Sequence, residues 1–213
     1  MVEIPVFEGD AKTRAKKTVE WAESSLENRR SILGIFKIGH RTPREIFDSG
    51  KIISSFVCLE KTVAFATALK KNGFDAHVVV ERGYAKNGKP IGLHFRLDAS
   101  DGAYKFSVDP DTLRTNFHDG WPGKERSEHW TRIVEGSREI YYKTIFRKRV
   151  PDNPQNMTAF DLVGLKNRRG FLRAANVSAG RYIKLTFARI RPSDGLRIEK
   201  IKKRKAAKKT LKK

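Results

Sequence analysis

Two alternating runs around a turn signal restrict this chain more than any other feature. Ile91 to Asp98 sets Ile91, Leu93, Phe95 and Leu97 on one side and Gly92, His94, Arg96 and Asp98 on the other. Ala103 to Asp109 repeats the pattern, with Tyr104, Phe106 and Val108 opposite Lys105, Ser107 and Asp109. Between them lies Ser100-Asp101-Gly102, and Asp-Gly between alternating runs is a strong hairpin signal. With Asp101 and Gly102 as the two central turn residues, Ser100 pairs with Ala103 and, further along, His94 pairs with Asp109. Directly opposed side chains have Cβ atoms roughly 4.5–5.5 Å apart on one face. An imidazole and a carboxylate so placed can hydrogen-bond, provided no bulge breaks the register.

Elsewhere the pattern is mixed. Residues 11–38 read as helical through Trp21, Ala22, Leu26, Ile32, Leu33 and Phe36. Thr42-Pro43-Arg44-Glu45 opens a short second helix, with Thr42 as N-cap, Pro at the first position and Glu45 closing a capping box, and it stops near Gly50. Residues 55–71 form the clearest helix, with Lys70 and Lys71 in the last turn and Gly73 beyond it. Ala76 to Glu81 is a buried strand, Gly83 to Pro90 a loop, and Ile140 to Phe146 a further strand. After Pro110 no regular element is predicted until Ile140. Pro151 to Asn156 reads as a linker, followed by strands over 181–191 and 196–201.

The chain's single cysteine, Cys58, falls in the first turn of the 55–71 helix. A helix N-terminus favours a thiolate, and Cys, His and Asp in this order are the parts of a nucleophile with an oriented base. One cysteine excludes an internal disulfide and a typical zinc cluster, and a free thiol suits a reducing compartment. His40, His118 and His129 match no standard ligand spacing, and Asp98, Asp101 and Asp111 do not make a calcium loop. No metal and no cofactor are expected. His77 is read as structural, and Trp121 and Trp130 as packing residues.

The segment from Ser54 to Pro110 resembles the core of transglutaminase-like proteins, within the papain-like cysteine superfamily. The matching pieces are Cys58 followed by Ala64 to Leu69, Lys-Lys-Asn-Gly73-Phe-Asp-Ala76-His-Val-Val, His94-Phe95, and Val108-Asp109-Pro110. The resemblance implies an α+β core in which the Cys helix packs on an antiparallel sheet carrying His and Asp. It also implies acyl transfer through a thioester: Cys58 as nucleophile, His94 as base and then acid, and Asp109 fixing the His tautomer. The chain departs from the family at Phe56, where Gly is frequent, at His77, where Arg is frequent, and at Phe95, where Trp is frequent. None of these removes a catalytic group.

Charge divides the chain. Residues 147–213 hold 21 Lys and Arg against 4 Asp and Glu, a net +17 of the whole chain's +21. Aromatic residues Phe171, Tyr182 and Phe187 are interleaved with the arginines. Such a segment attracts nucleic acid, ribosome or another polyanion, with Arg168, Arg169, Arg173, Arg181, Lys202, Lys203, Arg204, Lys205, Lys208 and Lys209 as candidate contacts. The expected organisation is a catalytic core over 1–150, a small basic strand-containing region over 151–199, and a disordered Lys-rich tail over 200–213. No apolar run is long enough to span a bilayer and no signal peptide is recognised, so a cytoplasmic protein is expected.

Two functions fit these features. One is a cysteine hydrolase or acyltransferase acting on amide bonds of a peptide or protein. The other is a transglutaminase-like scaffold with a vestigial triad, acting as a nucleic-acid- or ribosome-associated binding protein.

Overall fold

A computed structural model describes residues 2–28, 39–53, 57–85, 87–110, 115–120, 130–135 and 138–164. The fold is α+β. Helix α1 (Ala11–Ser24) leads to a two-residue strand β1 (Glu27–Asn28); α2 (Pro43–Ser49) leads to β2 (Lys51–Ile52), which pairs with β1 in parallel. Helix α3 (Val57–Lys71) carries Cys58. Strands β3 (Asp75–Ala85), β4 (Pro90–Ser100), β5 (Lys105–Pro110), β6 (Thr115–Asp119), β7 (Trp130–Glu135) and β8 (Arg138–Arg149) follow, then a 3-10 turn (Pro154–Asn156) and α4 (Ala159–Leu162). The six long strands form one sheet in the order β6-β5-β4-β3-β8-β7, every neighbouring pair antiparallel.

Local chemistry accounts for the helix ends. Asp10 caps α1, its carboxylate accepting from the Thr13 N–H. At α2 the expected capping box is complete: Thr42 Oγ1 accepts from Glu45 N–H, and Glu45 accepts from Thr42 N–H. Gly50 closes that helix in the left-handed conformation, φ 60°.

Helix α3 is the centre of the molecule. Every residue from Leu59 to Leu69 is buried, because α1, α2, α4 and the sheet surround it. Against it lie Ala76, Val78 and Val80 of β3, Leu93, Phe95, Leu97 and Ala99 of β4, and Phe106 and Val108 of β5. These residues are one period-2 set of each strand, as the alternation of β4 and β5 requires.

Several expectations need correction. Helix α1 ends at Ser24, with Ser25 as C-cap, and β1 follows; Ile32, Leu33 and Phe36 lie outside the described residues. The Gly83–Pro90 loop is shorter, since β3 runs on to Ala85 and a tight turn through Asn87 and Gly88 leads into β4. Strand β8 is longer than Ile140–Phe146, and the irregular stretch after Pro110 contains β6 and β7. The hairpin turn is also different. Ser100 pairs with Lys105 and Leu97 with Val108, so the loop has four residues, 101–104. Asp101 accounts for this: its carboxylate accepts from the Tyr104 N–H, and its own N–H donates to the Tyr104 carbonyl.

Past Arg149 the chain stays on the body. Pro154 is buried, and Ala159, Phe160, Leu162 and Val163 join the same core as α3. The strands expected over 181–191 and 196–201, and the tail over 200–213, lie outside the described residues. Among the described residues no helix is long and apolar enough to cross a membrane.

Candidate active site

On the central strands β3, β4 and β5 the second period-2 set is buried too, and mostly polar. His94, Arg96 and Asp98 of β4 alternate with the apolar set, and Glu81, Ser107 and Asp109 accompany them from β3 and β5. Burial of such groups is tolerated only where each is bonded. The Arg96 guanidinium donates from Nε and Nη2 to Glu81 Oε1 (3.3 and 3.2 Å) and from Nη1 to Asp98 Oδ1. Ser107 Oγ donates to the same Asp98 oxygen at 2.7 Å, and Arg147 Nε stands 3.6 Å from Asp98 Oδ2. Arg96 thus joins three strands.

At the end of this row the structure brings Cys58, His94 and Asp109 together. His94 Nε2–H donates to Asp109 Oδ1 at 2.6 Å, both side chains buried. The Cys58 sulfur lies close enough to the His94 ring to favour its protonated form. The register is not the expected one. Carried one step beyond Leu97–Val108, it sets Asp109 beside Arg96, so His94 and Asp109 are diagonal neighbours. Diagonal pairs remain within reach of long side chains on one face. The expected contact is present, reached by a different path.

Cys58 is half-buried and free, the second residue of α3. It therefore sits among the helix's first N–H groups, which have no intrahelical acceptor. Burial opposes the His94 imidazolium, but the Asp109 hydrogen bond and the Cys58 sulfur outweigh it and hold His94 well above its ordinary value. A raised folded pKa means that His94 contributes stability below its unfolded value, and that this contribution is lost as pH rises through the folded one. The ring of Tyr142, on β8, stands against the His94 ring, centroids 4.7 Å apart and tilted 39°.

No family model, no curated protein and no solved structure matches the chain. The site rests on its own geometry.

Beside the first turn of α3 lies a second buried polar cluster. Glu60, two residues after Cys58, is wholly buried and pairs with Arg41 at 3.4 Å. Glu60 Oε2 also accepts from the Ile53 N–H at 3.0 Å. The Arg41 fork donates to the Lys51 and Glu45 carbonyls, both at 2.9 Å, and to Ser49 Oγ at 2.5 Å. Next along α3, buried Lys61 pairs with Glu23 of α1 at 2.6 Å.

Among the described residues no group of His, Cys, Asp and Glu could hold a metal ion. His40 packs edge-on against Phe160, His118 is exposed on β6, and His77 lies half-buried on β3 near Asp75. Trp121, His129 and Asp111 lie outside the described residues. So do the candidate polyanion contacts Arg168, Arg169, Arg173, Arg181, Lys202, Lys203, Arg204, Lys205, Lys208 and Lys209. The residues that sequence reasoning missed are Glu81, Arg96, Tyr142, Arg41 and Glu60. A signal existed for Arg96: it shares the alternating row with His94, and the neighbouring Val78-Val79-Val80 is apolar on both faces.

Proposed function

We propose that the chain is a transglutaminase-like cysteine hydrolase or acyltransferase acting on amide bonds. The observation that carries this reading is the 2.6 Å His94–Asp109 hydrogen bond, with the Cys58 sulfur near enough to the same imidazole to raise its pKa. In the proposed reaction the Cys58 sulfur attacks the acyl carbon, and the carbonyl electrons move onto oxygen. As the tetrahedral adduct collapses, the C–N bond breaks and the leaving amine takes a proton from the His94 imidazolium. The thioester on Cys58 is then attacked by water or a second amine, which His94 deprotonates, and the thiolate leaves. Asp109 holds the imidazole orientation and balances its charge. The position of Cys58 in the first turn of α3, where backbone N–H groups lack an intrahelical acceptor, supports its backbone amide as an oxyanion donor.

The generic activated ester p-nitrophenyl acetate tests the reading. A burst of p-nitrophenolate, matched by an acetyl adduct on Cys58 in the mass spectrum, is the expected result, and Cys58→Ala removes both. A burst of equal size in Cys58→Ala removes the sulfur from the reaction and ends the proposal.

We further propose that the basic C-terminal third tethers the protein to a polyanion, supported by the net +17 over residues 147–213. Removal of residues 200–213 takes away nine cations. The slope of log affinity for a generic RNA against log salt is then expected to flatten, by roughly 0.7 to 0.9 for each phosphate that is no longer neutralised. An unchanged slope and affinity would place the binding surface elsewhere and favour a core whose binding does not use the tail.

A further inference from the structure

Around the His94 ring, three strands other than its own and one helix supply neighbours. Asp109 comes from β5, Cys58 from α3, and Glu81 from β3, its carboxylate engaged by Arg96 of β4. The remaining neighbour is aromatic and comes from furthest away. Tyr142 is on β8, two strands from β4, yet its ring centroid is 4.7 Å from that of His94.

The register explains how a side chain spans that interval. Tyr142 pairs with Gly83 of β3, and Gly83 pairs with Gly92 of β4. The intervening row therefore carries no side chain on either strand. Gly92 has nothing within 4 Å of where a Cβ would stand, while Gly83 is buried although it has no side chain of its own. With no side chain in this row, the Tyr142 ring reaches the imidazole, two residues further along β4. Glycine exposes strand backbone, and an aromatic neighbour on the next strand is the usual way to cover it.

We propose that Tyr142 is a positioning residue for His94, holding the imidazolium through the face of its ring. Asp109 fixes one nitrogen of His94, and one hydrogen bond leaves the ring plane free to rock about that axis. An aromatic face against the ring removes this freedom. The aromatic quadrupole also favours the cationic over the neutral imidazole, with the ring separation well inside the roughly 6 Å over which such interactions act. The residue acts through His94, not on substrate. This assignment rests on the proposed triad for its catalytic meaning, but not for its physical content.

The test reads His94 directly. Long-range 15N–1H correlation spectra of the full chain give the titration midpoint of His94 in wild type, Tyr142→Phe and Tyr142→Ala. Asp109, Cys58, Glu81 and Arg96 are the same in all three, so the difference isolates the ring. The midpoint should fall by about half a pH unit or more in Tyr142→Ala and stay at the wild-type value in Tyr142→Phe. Tyr142→Leu, which keeps apolar bulk without a π face, carries the same test should Tyr142→Ala fail to fold. An unmoved midpoint in the folded Ala or Leu variant overturns the assignment, as does an equal fall in Tyr142→Phe, which would give the effect to the hydroxyl. The ester burst separates the two claims. A burst with an unmoved midpoint refutes Tyr142 alone, and a moved midpoint without a burst refutes the enzyme reading alone.

Discussion

Cys58 is expected to react with iodoacetamide at a rate that stays high well below pH 7, and His94→Ala is expected to lose that acid-side reactivity. An unassisted thiol titrating near 8.5 is only about one part in a thousand thiolate at about pH 5.5. A neighbouring imidazolium favours the thiolate, so on the acid side the wild type should react faster than His94→Ala by about tenfold or more. Above about pH 9 the difference should close, because the variant's thiol then ionises unaided. The sign follows from His94, whose folded pKa is raised, so that the imidazolium persists to higher pH than in a free histidine. Asp109→Asn should lie between the two, since it removes the charge that offsets burial of the imidazolium but leaves the imidazole beside Cys58. Identical profiles in wild type and His94→Ala would mean that the sulfur and the ring do not share a proton.

The second large effect concerns stability. Removing either partner of the Arg41–Glu60 pair should destabilise the fold by about 3–5 kcal/mol, because it leaves a charge buried without its counterpart. Glu60→Leu also strips the acceptor from the Ile53 N–H, and Arg41→Leu strips the donors from two carbonyls and Ser49. The double variant should consequently recover only part of the loss, giving a coupling energy of about 1–3 kcal/mol between the sites. Glu60→Gln, which keeps an acceptor for Ile53, should cost less than Glu60→Leu. Urea unfolding midpoints of the four proteins measure this directly. A loss below about 1 kcal/mol for both single variants would show that water or another group already compensates the pair.

The sequence made the active-site constellation legible through parity, and it misled on register. The true hairpin pairing is displaced by two residues from the expected one, because the Asp101 side chain bonds Tyr104 and widens the turn. A displacement of one would have sent His94 and Asp109 to opposite faces; a displacement of two preserves the face and costs only direct opposition. That is why the predicted contact survives a wrong turn. The edge strands were not legible for a different reason. Thr115-Asn-Phe-His-Asp has little apolar material to alternate, and it ends the strand order of the described sheet. The network of Glu81, Arg96 and Asp98 was hidden by the ordinary rule that the polar side of an alternating strand faces water. Here both sides are buried, and the polar side satisfies itself.

Two backbone bonds between α4 and the loop before α2 bear on the order of assembly. The Ala159 N–H donates to the Arg41 carbonyl, and the Phe160 N–H donates to that of Gly39. The residue whose guanidinium pairs with Glu60 in the first turn of α3 is thus itself held by a segment made more than a hundred residues later in synthesis. A nascent chain can form α1, α3 and the first strands early, but the bed beneath Cys58 is incomplete until residue 160 has emerged. The thiol is therefore born before its support. Its setting is completed only by the same stretch that leads into the polycationic C-terminal third, so the buried support of Cys58 and the basic segment come into being almost together.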